Sequence, residues 1–233
     1  MTATAAAPRR RPRRLRVLAN VLIVVGALLL ADAALAVLWK EPFSSLYTHV
    51  EQGRLRSQLA QLEQTPLAPV ERRAIAKLPD DTRRLAFAAR AFARHTRSGD
   101  PIGHIRVPAA RVDQVMVEGT GSGDLSKGPG HYPDTPLPGQ RGTVAVAGHR
   151  TTYGAPFRHL DAVEPGDPIQ LSTPYGVFDY RVERTRIVAP TALWVTDRVG
   201  YDRLVLSACH PLYSAAQRIV VFARLVRERA RFR

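Results

Sequence analysis

From Pro101 onward the chain is cut by glycine and proline into short β-branched runs, and this pattern constrains the fold more than any other feature. The runs are HIRV (104–107), VDQVMVEG (112–119), TVAVAG (143–148), PIQLST (168–173), VFDYRVERTRIV (177–188), RLVLSA (203–208) and RIVVFARLV (218–226). Most are shorter than the roughly 10–12 residues of a globular helix, and their Val, Ile, Thr, Tyr and Phe suit a pleated, half-buried surface. Seven such runs with turn-rich joints predict an all-β sandwich or barrel. The joints are long, above all SKGPGHYPDTPLPGQRG (126–142). Loops on a rigid β scaffold are where binding and chemistry concentrate.

The first hundred residues read differently. VLANVLIVVGALLLADAALAVLW (17–39) holds a single charge, Asp32. At ~1.5 Å per helical residue it is long enough for the ~30 Å hydrocarbon core of a bilayer. Arg9, Arg10, Arg11, Arg13, Arg14 and Arg16 precede it, against Lys40 beside Glu41 on the other flank, which orients the N-terminus toward the cytoplasm. The competing reading is a cleaved signal peptide ending at Ala34-Leu35-Ala36; the length of the apolar run favours an anchor. An ionised Asp32 deep in a bilayer costs about 3 kcal/mol, which places it toward the outer interface. Beyond the anchor, Leu55, Leu59 and Leu62 recur on one helical face, as do Leu85, Ala88 or Ala89, and Phe92, with Pro66, Pro69 and Pro79 between the two. The expected organisation is a basic cytoplasmic tail (1–16), a transmembrane anchor (17–39), a helical stalk (40–100) whose second helix can pack on the adjoining β domain (101–228), and a short basic C-terminal tail (229–233).

The formal net charge of +14 invites a nucleic-acid reading. Its distribution argues against one: residues 1–16 carry six arginines and no acid, whereas residues 101–233 carry 17 basic and 12 acidic side chains, interspersed. A basic tail committed to a membrane surface beside a mixed-charge body is no nucleic-acid face.

Cys209 is the only cysteine. A cysteine can be inert core filling, but outside the membrane a single thiol has no partner for an intramolecular disulfide, and a reactive role becomes the better reading. It closes the run RLVLSA, and Pro211, which has no N–H, stops further ladder pairing. A thiol nucleophile needs a base or imidazolium partner. Of seven histidines, His149 stands out, because it directly follows TVAVAG with Gly148 leaving room for close approach. His210 adjoins the thiol, but consecutive strand residues point to opposite faces. His131 lies in the long loop as a substrate-side candidate or a loop-packing residue. A metal site of Cys209, His210 and His149 lacks the closely spaced ligand pairs that zinc sites show, and no cofactor is expected. Arg218 shares one face of its run with Val220 and Phe222, so a buried guanidinium there requires an anionic or carbonyl partner.

Read together, GHYPDTPLPGQRGTVAVAGHRTTYGAPF and LSACHPLYSAAQRIVV resemble the sortases, and AGHRTTYGAPF with ACHP most resembles the class E sortases of actinobacteria. The resemblance covers about residues 100–228. It implies a closed barrel of about eight strands with short helices, and the eighth strand is expected from a division of 177–188. It implies a membrane-anchored, extracytoplasmic cysteine transpeptidase that cuts a Leu-Ala/Pro-x-Thr-Gly sorting signal between Thr and Gly and passes the acyl group to a peptidoglycan-precursor amine. Cys209 would be the nucleophile, His149 the acid and base, and Arg218 the oxyanion support; His131, Tyr153 and His210 are the substrate-side candidates. One departure stands: the family commonly carries Thr-Leu-x-Thr before the cysteine, and this chain has Val205-Leu206-Ser207-Ala208, so no substrate contact is carried over from Ala208. The alternatives are a thiol hydrolase with water as acceptor and a non-catalytic membrane-tethered binding module.

Overall fold

The computed structural model describes residues 13–38, 42–65 and 68–231. Arg9 to Arg11, Trp39, Lys40, Glu41, Pro66 and the last two residues of the C-terminal tail lie outside the described residues. Two compact units emerge, Met1–Pro42 and Phe43–Arg233. The first contains helix α1, Arg13–Leu38, about 39 Å long at the usual helical rise. Its stretch Arg14–Ala31 has a mean hydropathy of 2.0 with none of it buried inside the protein, and it is the one described helix long and apolar enough to cross a membrane.

The second unit opens with α2, Pro42–Gln64. Leu55 and Leu59 are buried against Val115 and Val117, whereas Leu62, the third member of the expected stripe, stays largely exposed. Polar groups seat the helix as firmly as its leucines. The buried Gln52 amide accepts from Val115 N (2.8 Å) and donates to Val115 O and Lys127 O (both 2.9 Å), standing in for a neighbouring strand. Thr48 Oγ1 donates to Ser126 O (2.8 Å). Helix α3, Pro69–Ala76, comes next. Helix α4, Asp81–Ala93, is capped by Asp80, whose carboxylate accepts from Arg83 N. Leu85, Ala88 and Ala89 of α4 join the main core.

The sheet is a closed barrel in the order β1-β2-β3-β4-β7-β8-β6-β5. Its strands are β1 Pro101–Val107, β2 Val112–Glu118, β3 Gly130–His131, β4 Thr143–Ala147, β5 Pro168–Thr173, β6 Gly176–Val188, β7 Arg203–His210 and β8 Gln217–Ala230, with a short helix α5, Ser122–Leu125, between β2 and β3. The eighth strand does not come from a split of 177–188. Strand β6 remains continuous over 13 residues, its ladder to β8 passing through register shifts at Asp179/Tyr180 and Val182/Arg184 without breaking. The extra strand is instead the two-residue β3 inside the long loop, bonded to both β2 and β4. Two residues carry no periodicity, which is why the sequence conceals it. Strand β8 also runs past 228 to Ala230, and Arg231 donates to Ser172 Oγ (2.8 Å).

Alternation sorts the strand residues onto two faces. Leu204, Leu206 and Ala208 of β7 and Ile219, Val221 and Ala223 of β8 fill the interior with Val144, Val146, Leu171 and Phe178. Their neighbours in the chain, Val205, Val220 and Phe222, form a separate cluster with Ala145 on the outside.

Candidate active site

That outer cluster is itself roofed over, its four residues being fully buried. Tyr132, Val188 and Val195 pack against it. Trp194, on the β6–β7 connection, stacks on Phe222 with centroids 6.1 Å apart and planes 11° from parallel. The guanidiniums of Arg184 and Arg203 lie 4.9 and 5.2 Å from the same ring. The buried Arg203 ties the connection down by donating to Val195 O (2.9 Å) and Asp197 O (2.8 Å), and burial lowers its pKa from the ordinary arginine value.

At one end of this cluster the ends of β4, β7 and β8 meet. Cys209 has the same parity along β7 as Val205, so it faces outward; it is a free, half-buried thiol. Across the antiparallel ladder its partner is Arg218 of β8, which shares parity with Val220 and Phe222. On the other side β4 runs parallel to β7 with Ala147 opposite Ser207. Gly148 N donates to Ser207 O (3.1 Å), carrying the ladder one residue past the strand. His149 follows directly after this last paired residue. Imidazole, thiol and guanidinium, 60 and nine positions apart in sequence, therefore come from adjacent strand ends.

His149 and Arg218 are each held locally. A Cβ on Gly148 would lie 2.6 Å from the Phe157 ring, so only glycine allows the His149 backbone this close to the core. Phe157 N donates to His149 O (2.9 Å). The His149 ring sits 5.2 Å from that of Tyr153. Tyr153 and Ala155 adopt left-handed backbone conformations (φ 50° and 44°), uncommon outside glycine, and Tyr153 N is held by Ser44 Oγ of α2 (3.2 Å). The Arg218 guanidinium, only half-buried, donates from Nη1 to Ala215 O (3.0 Å) and Gln217 O (2.9 Å).

Of the substrate-side candidates, Tyr153 lies beside His149. His210 is turned toward Arg150, its Nδ1 3.1 Å from Arg150 Nη1. His131 is buried; its Nδ1 meets Glu118 Oε2 (2.9 Å), and its Nε2 meets Pro136 O (3.2 Å) and Thr135 Oγ1 (3.1 Å). A ring so engaged braces the long loop and has no edge left for a peptide. Ala208 faces the barrel interior, so the hydroxyl missing there would have projected into the core and not beside Cys209. Sequence reasoning passed over Arg150, Trp194 and Ser44. For Arg150 the available signal was its place directly after His149. Among the described residues no group of three or more His, Cys, Asp or Glu side chains could hold a metal ion.

A family model described as the Sortase domain matches residues 105–226. Sortase D of Bacillus subtilis is 32% identical over 134 residues, which are 55% of this chain and 66% of that protein. Sortase SrtE1 of Streptomyces coelicolor is 32% identical over 143 residues, 54% of this chain and 41% of that protein. The chain thus spans less than two thirds of the length of these curated relatives. Among solved structures, sortase E1 of Streptomyces coelicolor with a tripeptide in the active site aligns with a TM-score of 0.54 at 30% identity, over 57% of this chain and 92% of that one. Sortase E of Streptomyces avermitilis aligns with a TM-score of 0.52 at 32% identity, over 57% and 93%.

Proposed function

The chain belongs to the sortase family, and from that premise we propose that it is a membrane-anchored cysteine transpeptidase whose nucleophile is Cys209. Supporting this reading is the pairing of Cys209, the only thiol of the chain, with Arg218 across β7 and β8, beside the end of β4 from which His149 follows. Its donor substrate is an extended sorting signal of the Leu-Ala/Pro-x-Thr-Gly type, whose threonine carbonyl is presented to the half-buried thiol. The relative holding a tripeptide in its active site supports a peptide as occupant.

Sγ of Cys209, as thiolate, adds to the threonine carbonyl. The oxyanion that develops is steadied by the Arg218 guanidinium, already oriented by Ala215 O and Gln217 O. A preset donor of this kind contributes about 3–4 kcal/mol in the transition state. His149 protonates the glycine amine as the C–N bond breaks, leaving a thioacyl enzyme, and takes a proton from the incoming amine of a peptidoglycan precursor as the thioester is resolved. Helix α1 anchors the chain with its arginine-flanked end in the cytoplasm and the barrel outside.

The full chain, in detergent micelles, is incubated with a library of pentapeptide signals with and without an added amine, and products are followed by mass spectrometry. Expected are a thioacyl adduct on Cys209 and an amine-dependent ligation product, both abolished by Cys209→Ala and nearly so by His149→Ala and Arg218→Ala. Cleavage that never yields an amine adduct makes the protein a thiol hydrolase. Activity retained by Cys209→Ala eliminates thiol chemistry altogether.

A further inference from the structure

We propose that Arg150 is a positioning residue that holds the thiol and imidazole segments in register, a role that rests on the Cys209–His149 reading above. Strand β4 ends at Ala147 and its ladder to β7 reaches only Gly148. Past that point the Arg150 side chain crosses from the His149 loop to the end of β7. Its guanidinium is buried, with the side chain 2% exposed. Nη1 donates to His210 Nδ1 (3.1 Å) and, at longer range, to Cys209 O (3.5 Å). Nε donates to Arg158 O (3.3 Å) and Nη2 pairs with Asp161 Oδ2 (3.0 Å).

These contacts divide into two sets. Arg158 and Asp161 belong to the same loop as His149, while Cys209 and His210 belong to β7. One rigid plane therefore spans the two segments that supply the base and the nucleophile. A guanidinium only donates, so the bond to His210 requires a bare Nδ1 and fixes that ring's orientation along with the backbone beside the thiol. Lysine cannot reproduce this, since a point ammonium lacks the planar fork needed to reach partners on both sides at once. A misplacement of about 1 Å between reacting groups lowers turnover up to roughly 100-fold, with substrate affinity untouched because the Arg150 side chain is buried beneath the site.

The test uses the full chain and three variants: Arg150→Lys, Asp161→Asn and, as reference, His149→Ala. The first readout is kcat and KM for a sorting-signal peptide. The second is the rate of Cys209 alkylation by iodoacetamide, which is unambiguous because the chain has one thiol and needs no knowledge of the substrate. Arg150→Lys is expected to lower kcat by about 10- to 100-fold at a KM within about twofold, and to slow alkylation toward the His149→Ala rate. Asp161, more than half exposed, can be neutralised without emptying the core; Asp161→Asn is expected to slow both in the same direction by a smaller factor, and it decides the matter if Arg150→Lys does not fold. Alkylation and kcat at the wild-type level in a folded variant overturn the proposal, as does a loss confined to KM. An alkylation rate indifferent to His149→Ala removes the pairing itself and the positioning role with it. Peptide turnover absent in wild type, with alkylation still dependent on His149 and Arg150, refutes the transpeptidase reading while upholding this one.

Discussion

Gly148→Ala tests how tightly the His149 loop is set against the barrel. The added methyl would sit 2.6, 2.8 and 2.9 Å from three atoms of the Phe157 ring, whereas carbon atoms rest at about 3.5–4.0 Å. The ring, or the loop, must give way by about 1 Å. Phe157 is fully buried in the main core, where packing is crystal-like and few voids exist to receive it. Its backbone N–H also holds His149 O, so the strain passes directly to the imidazole. Overpacking of this kind costs about 1–3 kcal/mol. For a unit the size of Phe43–Arg233 that corresponds to a fall in Tm of about 2–12 °C. A melt followed by near-ultraviolet circular dichroism measures the cost, and kcat measures the displacement of His149. Phe157→Leu, which costs stability alone, should recover part of the loss in the double variant, giving a coupling of at least about 0.5 kcal/mol. A Gly148→Ala protein that melts within a degree of wild type with unchanged kcat, or strict additivity with Phe157→Leu, would refute the reasoning.

Gln52→Leu removes both side-chain bonds to Val115 and leaves that buried N–H unpaired; a loss of about 1–3 kcal/mol is expected in urea unfolding, and a neutral result would show that α2 is held by its leucines alone. Glu183 supplies a pH test. Burial raises its carboxyl, but bonds from Tyr201 and Arg224, with the charges of Arg224 and Arg184, outweigh that and hold it below the ordinary glutamate value. Its folded-state value being depressed, its contribution is complete above the unfolded value of about 4.3 and disappears as pH falls through the folded one. The stability gap between wild type and Glu183→Gln should therefore be present at pH 7 and shrink on acidification; a gap that grows toward pH 3 contradicts the sign. Arg218→Lys keeps a charge but loses the planar guanidinium whose Nη1 donates to Ala215 O and Gln217 O, so kcat should fall at least about tenfold with the fold intact. Full turnover in that variant would reduce Arg218 to a charge.

Much of this architecture is legible along the chain. Each of the seven β-branched runs lies on a strand, because alternation and β-branching act within a few residues and glycine and proline mark where they stop. Leu55 and Leu59 announced a buried helical face for the same local reason. The strand Gly130–His131 could not be found this way, since its pairing with β2 and β4 depends on where two other strands lie rather than on its own two residues. Likewise His131 as a loop residue was visible, but its burial against Glu118, Thr135 and Pro136 depends on the loop's closed path.

Residue chemistry and local periodicity determined the apolar N-terminal helix, the β-rich body and the three side chains capable of thiol chemistry, since all of these are properties of short segments. Only the closed sheet decided which face Cys209, Arg218 and Ala208 occupy, that β4 and β7 run side by side in parallel, and that the arginine following His149 turns inward to span two segments. Those outcomes rest on contacts between residues about 60 positions apart. Such contacts form only when burial of the whole core repays the entropy of closing the loops between them, a balance that no segment carries by itself.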